Sequence, residues 1–302
     1  MKKSTVLIGG GVIATHYVKG FENSRTLRLD ALVDTNPSCA ARELFSVPFF
    51  TDLKEALKLN PEVAILALPV PAHGRVAREL IDCGVDVITE KPMFGSLKEV
   101  YDNIAYAEKR NRHLACMYHW KEADEVRFLK SNLKDFGKIK SVFVHIRDDY
   151  AANDGIIRDD RLGLGGAWID SGINALSYID EIIDLSESRV TSEELIPDRK
   201  HNLPAYAKKI IKAFDTEVTV VVDWRYADGK KTSEIECEAG KVFVDHTAQR
   251  VSLNGKEIFV STVSDRLSSH YENLFYTLSP DDESLKKSTL ILHDLLYAGS
   301  TR

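Results

Sequence analysis

The first third of the chain alternates short apolar runs with helical patterns at a steady interval, a rhythm few folds accept. "TVLIG", "RLDALVD", "VAILALP", "VDVITE" and "HLACMYH" read as buried strands, with a weaker short strand near "PFF". Helical segments lie between them. Asn36 before Pro37 reads as an N-cap followed by a first-turn proline, and Thr51 as the cap of "DLKEALKL". Gly84 ends "HGRVARELIDC", and Ser96 with Glu99 forms a capping box ahead of "LKEVYDNIAYAEKR". This alternation predicts an α/β architecture, a doubly wound parallel sheet with helices on both faces.

The pattern changes after about Trp120. A helix, "EADEVRFLKSNL", leads into the strand "KIKSVFVHIRDD", then a glycine-rich loop, "RDDRLGLGGAW", and an apolar helix, "IDSGINALSYIDEIIDL". Five strands follow ("TEVTVVVDWRYA", "KKTSEIECE", "KVFVD", "RVSL", "KEIFV"), with Asp228-Gly229, Ala239-Gly240 and Asn254-Gly255 between them. A last helix, "ESLKKSTLILHDLLYAG", closes the region. These predict an α+β domain with a large open, mostly antiparallel sheet. On the first of these strands Val218, Val220, Val222 and Trp224 share one face. Thr219, Val221, Asp223 and Arg225 share the other, a half-apolar face suited to a subunit interface. The 302 residues accommodate two domains, placed at 1–120 and 121–302.

Charge excludes some functions. A net charge of −6 with no basic run argues against nucleic acid or an anionic membrane as partner. No apolar stretch is long enough to span a bilayer, and the N-terminal run, broken by three glycines, does not read as a signal peptide. Cys39, Cys83, Cys116 and Cys237 lack metal or redox spacing, so no metal site is expected. Free thiols in a reducing compartment, the cytoplasm, are the simplest reading.

"VLIGGGVIATHYVKGF" reads Gly9-x-Gly11-x-x-Ala14, directly after a strand, with Val12 and Ile13 opening the helix. Gly9 makes the tight turn, and Gly11 lets backbone approach a pyrophosphate held at the helix N-terminus. The second strand ends "ALVD", which puts Asp34 where a carboxylate would bond the adenosine ribose hydroxyls; a solvated strand end or a helix cap is the alternative. With no arginine beside Asp34, NAD is favoured over NADP. Leu68, Pro69 and His73 follow the fourth strand, and Glu90-Lys91-Pro92 follows the fifth, on the edge where such sheets bind ligands. Glu90 and Lys91 are thus either a surface ion pair or groups beside a nicotinamide ring, where a cis bond before Pro92 would aim Lys91 inward.

The glycine motif, Pro69 with His73, Glu90-Lys91-Pro92 and "GGAWIDSGINALSYI" together resemble the glucose–fructose oxidoreductase/inositol dehydrogenase/MocA family. The resemblance covers nearly the whole chain. It implies a Rossmann domain, a substrate domain whose open sheet makes a homodimer or homotetramer, and NAD(P)-dependent hydride transfer on a sugar, cyclitol or related carbonyl. One position departs from the family pattern Asp-x-Gly-x-His: here Asp170-Ser171-Gly172-Ile173-Asn174 puts Asn174 where the acid/base histidine often stands. Asparagine can orient a hydroxyl but cannot take its proton. An anomeric hydroxyl is acidic enough to need less help, from Lys91 and Asp170. "DSGINALS" also resembles the family's aldose 1-dehydrogenases, whose product would be an aldonolactone. By that resemblance His119 and either Asp148 or Asp149 fall where sugar hydroxyls are held; Trp168 could supply an apolar wall for the pyranose face. For Asp170 and Asn174 helix capping is the alternative, and for the others solvation. Arg158 and Arg161 could bind an anionic substituent or simply be solvated. Other readings are a keto-sugar reductase, a cyclitol dehydrogenase and, outside catalysis, an NAD-sensing regulator.

Overall fold

The computed structural model describes residues 1–151 and 155–299. The chain divides into two compact units: Met1–Glu122 with Ser264–Leu290, and Ala123–Val263 with the residues from Ile291 on. The return of Ser264–Leu290 to the first unit is not part of the sequence-based division at 120/121, which gives the whole C-terminal segment to the second domain.

Among the described residues the first unit holds a six-stranded parallel sheet built from β1 (Lys3–Ile8), β2 (Leu27–Val33), β3 (Phe49–Phe50), β4 (Val63–Leu66), β5 (Asp86–Thr89) and β6 (Leu114–Cys116). Their order is β3-β2-β1-β4-β5-β6, the doubly wound arrangement, with the direction of winding reversing beside β1. Four helices alternate with these strands: α1 (Val18–Asn23), α2 (Leu53–Leu57), α3 (Val70–Asp82) and α4 (Leu97–Glu108). Ser96 caps α4 by accepting from the Glu99 N–H at 3.3 Å, while its hydroxyl donates to the Glu99 carboxylate. Gly84, at φ +79°, follows the end of α3.

Two caps differ from the sequence reading. Asp52, not Thr51, caps α2, accepting from Lys54 N at 3.0 Å, because a carboxylate one residue later meets the free N–H groups directly. Asn36 caps no helix: its side chain accepts from Ser38 N at 2.9 Å and closes a turn instead.

The second unit begins with α5 (Asp124–Ser131) and α6 (Leu133–Phe136). Among the described residues its eight strands are β7 (Ile139–Arg147), β8 (Arg189–Pro197), β9 (Pro204–Ala213), β10 (Thr216–Asp223), β11 (Lys231–Cys237), β12 (Gly240–Asp245), β13 (Arg250–Leu253) and β14 (Lys256–Val260). They form one sheet in the order β14-β13-β12-β11-β7-β10-β9-β8, antiparallel except where β10 runs parallel to β7. Asn254 (φ +51°) and Gly255 (φ +79°) make the two-residue β13–β14 turn that Asn-Gly favours. Asp228-Gly229 makes no hairpin, because β7 lies between β10 and β11. Val218, Val220 and Val222 on β10 and Trp224 just past its end are all fully buried, the face read as internal.

The long apolar helix expected from Ile169 is shorter and starts irregularly. A π-helical turn, Trp168–Gly172, precedes α7 (Ile173–Ile179). A side chain at Gly172 would lie 2.7 Å from the Trp168 ring, so the wide turn and the glycine together seat that indole. Two last helices, α8 (Arg266–Thr277) and α9 (Glu283–Tyr297), follow the sheet, and the division between units falls within α9. In the first unit Tyr17, Phe21, Tyr271 and Phe275 pack with Leu7, Ile65 and Ile88 of the strands. At about 1.5–3 kcal/mol for each large apolar side chain buried, this cluster fixes α1 and α8 to the sheet. A side chain at Gly20 would approach Phe275 to 3.0 Å, so the glycine sets how closely those two helices meet.

Candidate active site

The parallel strands finish level. Val33, Ile8, Leu66, Thr89 and Cys116 are successive partners across the sheet. The residues that follow them therefore begin one edge. With strands about 4.8 Å apart and β4 between, the ends of β1 and β5 lie about 10 Å from each other.

Gly9 sits at φ +101°, and a Cβ there would come within 2.3 Å of the Ala67 carbonyl oxygen, so only glycine fits. At Gly11 a Cβ would meet nothing within 4 Å: the protein itself does not demand this glycine, and the open space suits a ligand's approach. Val12 beside it is 74% exposed, at the start of a 3₁₀ turn, Val12–Tyr17, that runs into α1. Asp34 fixes the neighbouring loop, accepting from Gly10 N at 2.6 Å and from Asn36 N at 2.8 Å. Its carboxylate has acceptor capacity left for ribose hydroxyls. An open glycine, an exposed turn and an acid at the end of β2 fit a dinucleotide. Ile13 is half-buried behind the turn, Leu68 is half-buried and Pro69 is exposed at the N-terminus of α3.

Two residues expected to touch the cofactor face the protein instead. His73 is fully buried, its ring nitrogens 2.8 Å from the carbonyl oxygens of Leu68 and Met93, so it ties the loops after β4 and β5 together. Burial draws its pKa down, and the two carbonyls and Glu90 oppose that. Glu90 is 7% exposed. Its Oε1 accepts from the Tyr17 hydroxyl at 2.5 Å and the Tyr271 hydroxyl at 2.6 Å, and Oε2 from Lys91 N at 3.1 Å. The carboxylate raises both tyrosine pKa values, after burial, which acts first.

Lys91 follows Glu90 on this edge, half-buried, with a cis peptide bond to Pro92. His119, just past β6, places its Nδ1 3.2 Å from Nδ1 of His270 on α8. Burial first, then the positive groups His270, Lys91, Arg266 and His16, hold His119 well below its usual pKa. Sequence reasoning missed His270 and Arg266, which stand in no motif. A cavity of about 570 Å³ between α3 and α4, lined by Arg75, Arg78, Phe94 and Glu99 among others, borders none of Gly9, Asp34 or Lys91.

In the second unit Asp170 lies in the π turn and Asn174 in the first turn of α7. Asn174 Nδ2 donates to the Asp170 carbonyl at 3.4 Å. Its Oδ1 is buried and accepts no hydrogen bond among the described residues. Asp148 is close to the same segment but turned inward. Its Oδ1 accepts from Lys231 at 2.5 Å and Oδ2 from Ser171 at 3.0 Å, and Ser171 in turn accepts from Trp224 Nε1 at 3.1 Å. Trp168 offers no open wall: it is 4% exposed, donates to the Leu296 carbonyl at 2.7 Å and lies under the Lys209 ammonium. Asp149 is exposed and pairs with Arg158 at 3.4 Å, while Arg161 pairs with Asp160 at 3.3 Å. Both loop arginines thus face acids of their own loop.

Residues 3–118 match the family model described as the oxidoreductase family, NAD-binding Rossmann fold, GFO_IDH_MocA. This part of the chain belongs to the Gfo/Idh/MocA oxidoreductases. The match gives these residues an NAD-binding Rossmann fold of that oxidoreductase family, in line with the resemblance carried by the motifs within them. No curated protein matches the chain in sequence. Solved structures share the fold of this chain over nearly the whole length. A D-galactose-1-dehydrogenase from Rhizobium etli is 22% identical, with TM-score 0.72, covering 91% of this chain and 87% of its own. An oxidoreductase from Agrobacterium radiobacter, solved with NAD+, L-tartaric acid and magnesium, is 13% identical, with TM-score 0.79 and coverage of 100% and 97%. A 3-ketoreductase from Actinomadura kijaniata, solved with TDP-benzene and NADP, is 14% identical, with TM-score 0.80 and coverage of 100% and 98%. No helix of the described residues is long and apolar enough to cross a membrane.

Proposed function

We propose that the protein is an NAD-dependent sugar dehydrogenase acting at aldose C1 to give an aldonolactone. The observation that carries this reading is Lys91, on the same sheet edge as the open turn at Gly11 and two strands from it. NAD bound along that edge would accept the hydride. Lys91 takes the proton of the C1 hydroxyl as the C–H bond breaks. Asn174 Oδ1, buried without a donor among the described residues, accepts from a sugar hydroxyl. The π turn that carries Asp170 is a form of helix often found at functional sites. Asp34 favours NAD over NADP, since a 2′-phosphate would meet its charge. The Rhizobium etli galactose dehydrogenase supports the aldose assignment by likeness of fold. Four cysteines without disulfides suit a reducing compartment such as the cytoplasm. The outward face of the large sheet, with exposed Phe143 and Phe243, is taken as the contact between copies in a homodimer or homotetramer.

The test is NADH formation across aldoses, cyclitols and sugar phosphates, with the product identified. A lactone from a free aldose is the expected result. Lys91→Ala should lower turnover by roughly 10²–10⁴-fold. Turnover close to wild type in that variant would discard the mechanism. NAD binding with no turnover on the whole panel would favour an NAD-sensing role.

A further inference from the structure

Three strands of the second unit finish their inward faces at one place, each on a side chain with a polar tip. Val142, Val144 and Ile146 of β7 are buried, and Asp148 continues that face just past the strand, 7% exposed. Trp224 follows Val218, Val220 and Val222 of β10 in the same way, and Lys231 opens β11 directly opposite Ile146. We infer that Asp148, braced by Lys231, is a positioning residue of the reaction: it holds Ser171 and through it sets where Asn174 points. The inference rests on the dehydrogenase reading, in which Asn174 accepts a sugar hydroxyl.

Lys231 Nζ donates to Asp148 Oδ1 at 2.5 Å, which leaves Oδ2 turned to Ser171 at 3.0 Å. Ser171 donates there and accepts from Trp224 Nε1 at 3.1 Å, so its hydroxyl is held from two strand ends at once. Ser171 is 3% exposed and lies in the π turn between Asp170 and Gly172. A π turn carries one residue more than an α turn, and regular winding would rotate Asp170 and Ser171 by about 100° relative to α7. The tether keeps the extra residue where it is.

Asn174 has little else to direct it. Its Nδ2 reaches the Asp170 carbonyl only at 3.4 Å, and its Oδ1 is buried and accepts nothing among the described residues. Its direction therefore comes from the backbone, and Ser171, three residues earlier, is fixed to the sheet. A buried ion pair adds little stability over apolar side chains of like size, so the use of this pair is directional: with one oxygen held by Lys231, the carboxylate presents the other to Ser171. Asp148 thus acts on the sugar only through Ser171 and Asn174.

A double-mutant cycle tests this, with steady-state kinetics on the aldose that the wild-type chain oxidises fastest. Ser171→Ala should lower kcat by about tenfold and leave KM within about threefold of wild type, because the displaced contact is lost in the transition state. In an Asn174→Ala background the same change should cost less than about twofold. Asp148→Asn, whose amide oxygen can serve Lys231 or Ser171 but not both in the same way, should also lower kcat more than it raises KM. Amide exchange read by mass spectrometry needs no turnover: Ser171→Ala should quicken exchange over 168–176 and leave β7 and β10 as in wild type. Wild-type kcat in Ser171→Ala would overturn the inference, and so would losses that multiply fully in the double variant. Asp148→Asn with raised KM and unchanged kcat would also overturn it, returning Asp148 to the sugar hydroxyls. No NADH from any sugar with the wild-type chain would sink the dehydrogenase reading. The exchange measurement then decides the tether by itself, and unaltered exchange over 168–176 would discard it.

Discussion

Glu90 illustrates how a carboxylate stays inside a core. Two phenols and a backbone N–H replace the water it loses, and neither phenol ionises in exchange, because burial and the carboxylate both push Tyr17 and Tyr271 upward. Glu90→Gln should destabilise the chain by about 1–3 kcal/mol, and Glu90→Ala by more, since both buried hydroxyls then lose their acceptor. Urea denaturation reads both. Sequence left Glu90 as either a surface ion partner or a group beside the nicotinamide and missed its buried role, because its partners lie 73 and 181 residues away. Cys116 gives a second test. Burial pushes its thiol up to about 12, against about 8.5 in an unfolded chain. The folded state therefore keeps a proton that the unfolded state releases. That stability is intact below about pH 8.5 and is lost as pH rises toward 12, with the raised tyrosines acting in the same direction. The urea midpoint should fall between pH 8 and 11, and less steeply in Cys116→Ala.

Among the elements, α7 depends on a buried chain of four side chains. Glu125 on α5 meets His246 Nδ1 at 2.9 Å, His246 Nε2 meets Ser233 Oγ on β11 at 3.0 Å, and Ser233 meets the Tyr178 hydroxyl on α7 at 2.9 Å. All four are essentially inaccessible, so the Ser–His–Glu order works as a brace and not as a nucleophile. Tyr178 lies one turn beyond Asn174, so its hydroxyl sets the rotation of the helix that presents Asn174. Tyr178→Phe should reduce stability by about 1 kcal/mol and lower kcat more than it raises KM. His246→Leu, which takes the imidazole from a buried carboxylate, should be worse by about 3–5 kcal/mol. Element type was legible where period and caps agreed, as in α4. It was not legible in β9, where burial alternates residue by residue but one inward position is Lys209. That lysine is held by Glu193 at 2.7 Å and the Ala298 carbonyl at 2.5 Å, partners no local pattern announces.

For the molecule as a whole, the eight-stranded sheet has one apolar face buried and one face of mixed chemistry. Phe143 pairs across the sheet with Thr219 and Glu234, and Phe243 sits beyond Glu234. Both phenylalanines are about two-fifths exposed, as Phe143 at 40% and Phe243 at 37% show, more than a solvated sheet face needs. Sedimentation should find a dimer or tetramer, and Phe143→Asp should shift it toward monomer; a monomeric wild-type chain would remove this proposal. The parallel sheet, the turn at Gly9 and the strand-end lysine could be read from residues alone, because periodicity, caps and glycine chemistry act over a few neighbouring positions. The tyrosine cage of Glu90, the contact of His119 with His270 across 151 residues, and the return of Ser264–Leu290 to the first unit came only with the folded chain. Distant segments meet where whole faces pack, and a local pattern records which side of an element is apolar without recording what will cover it.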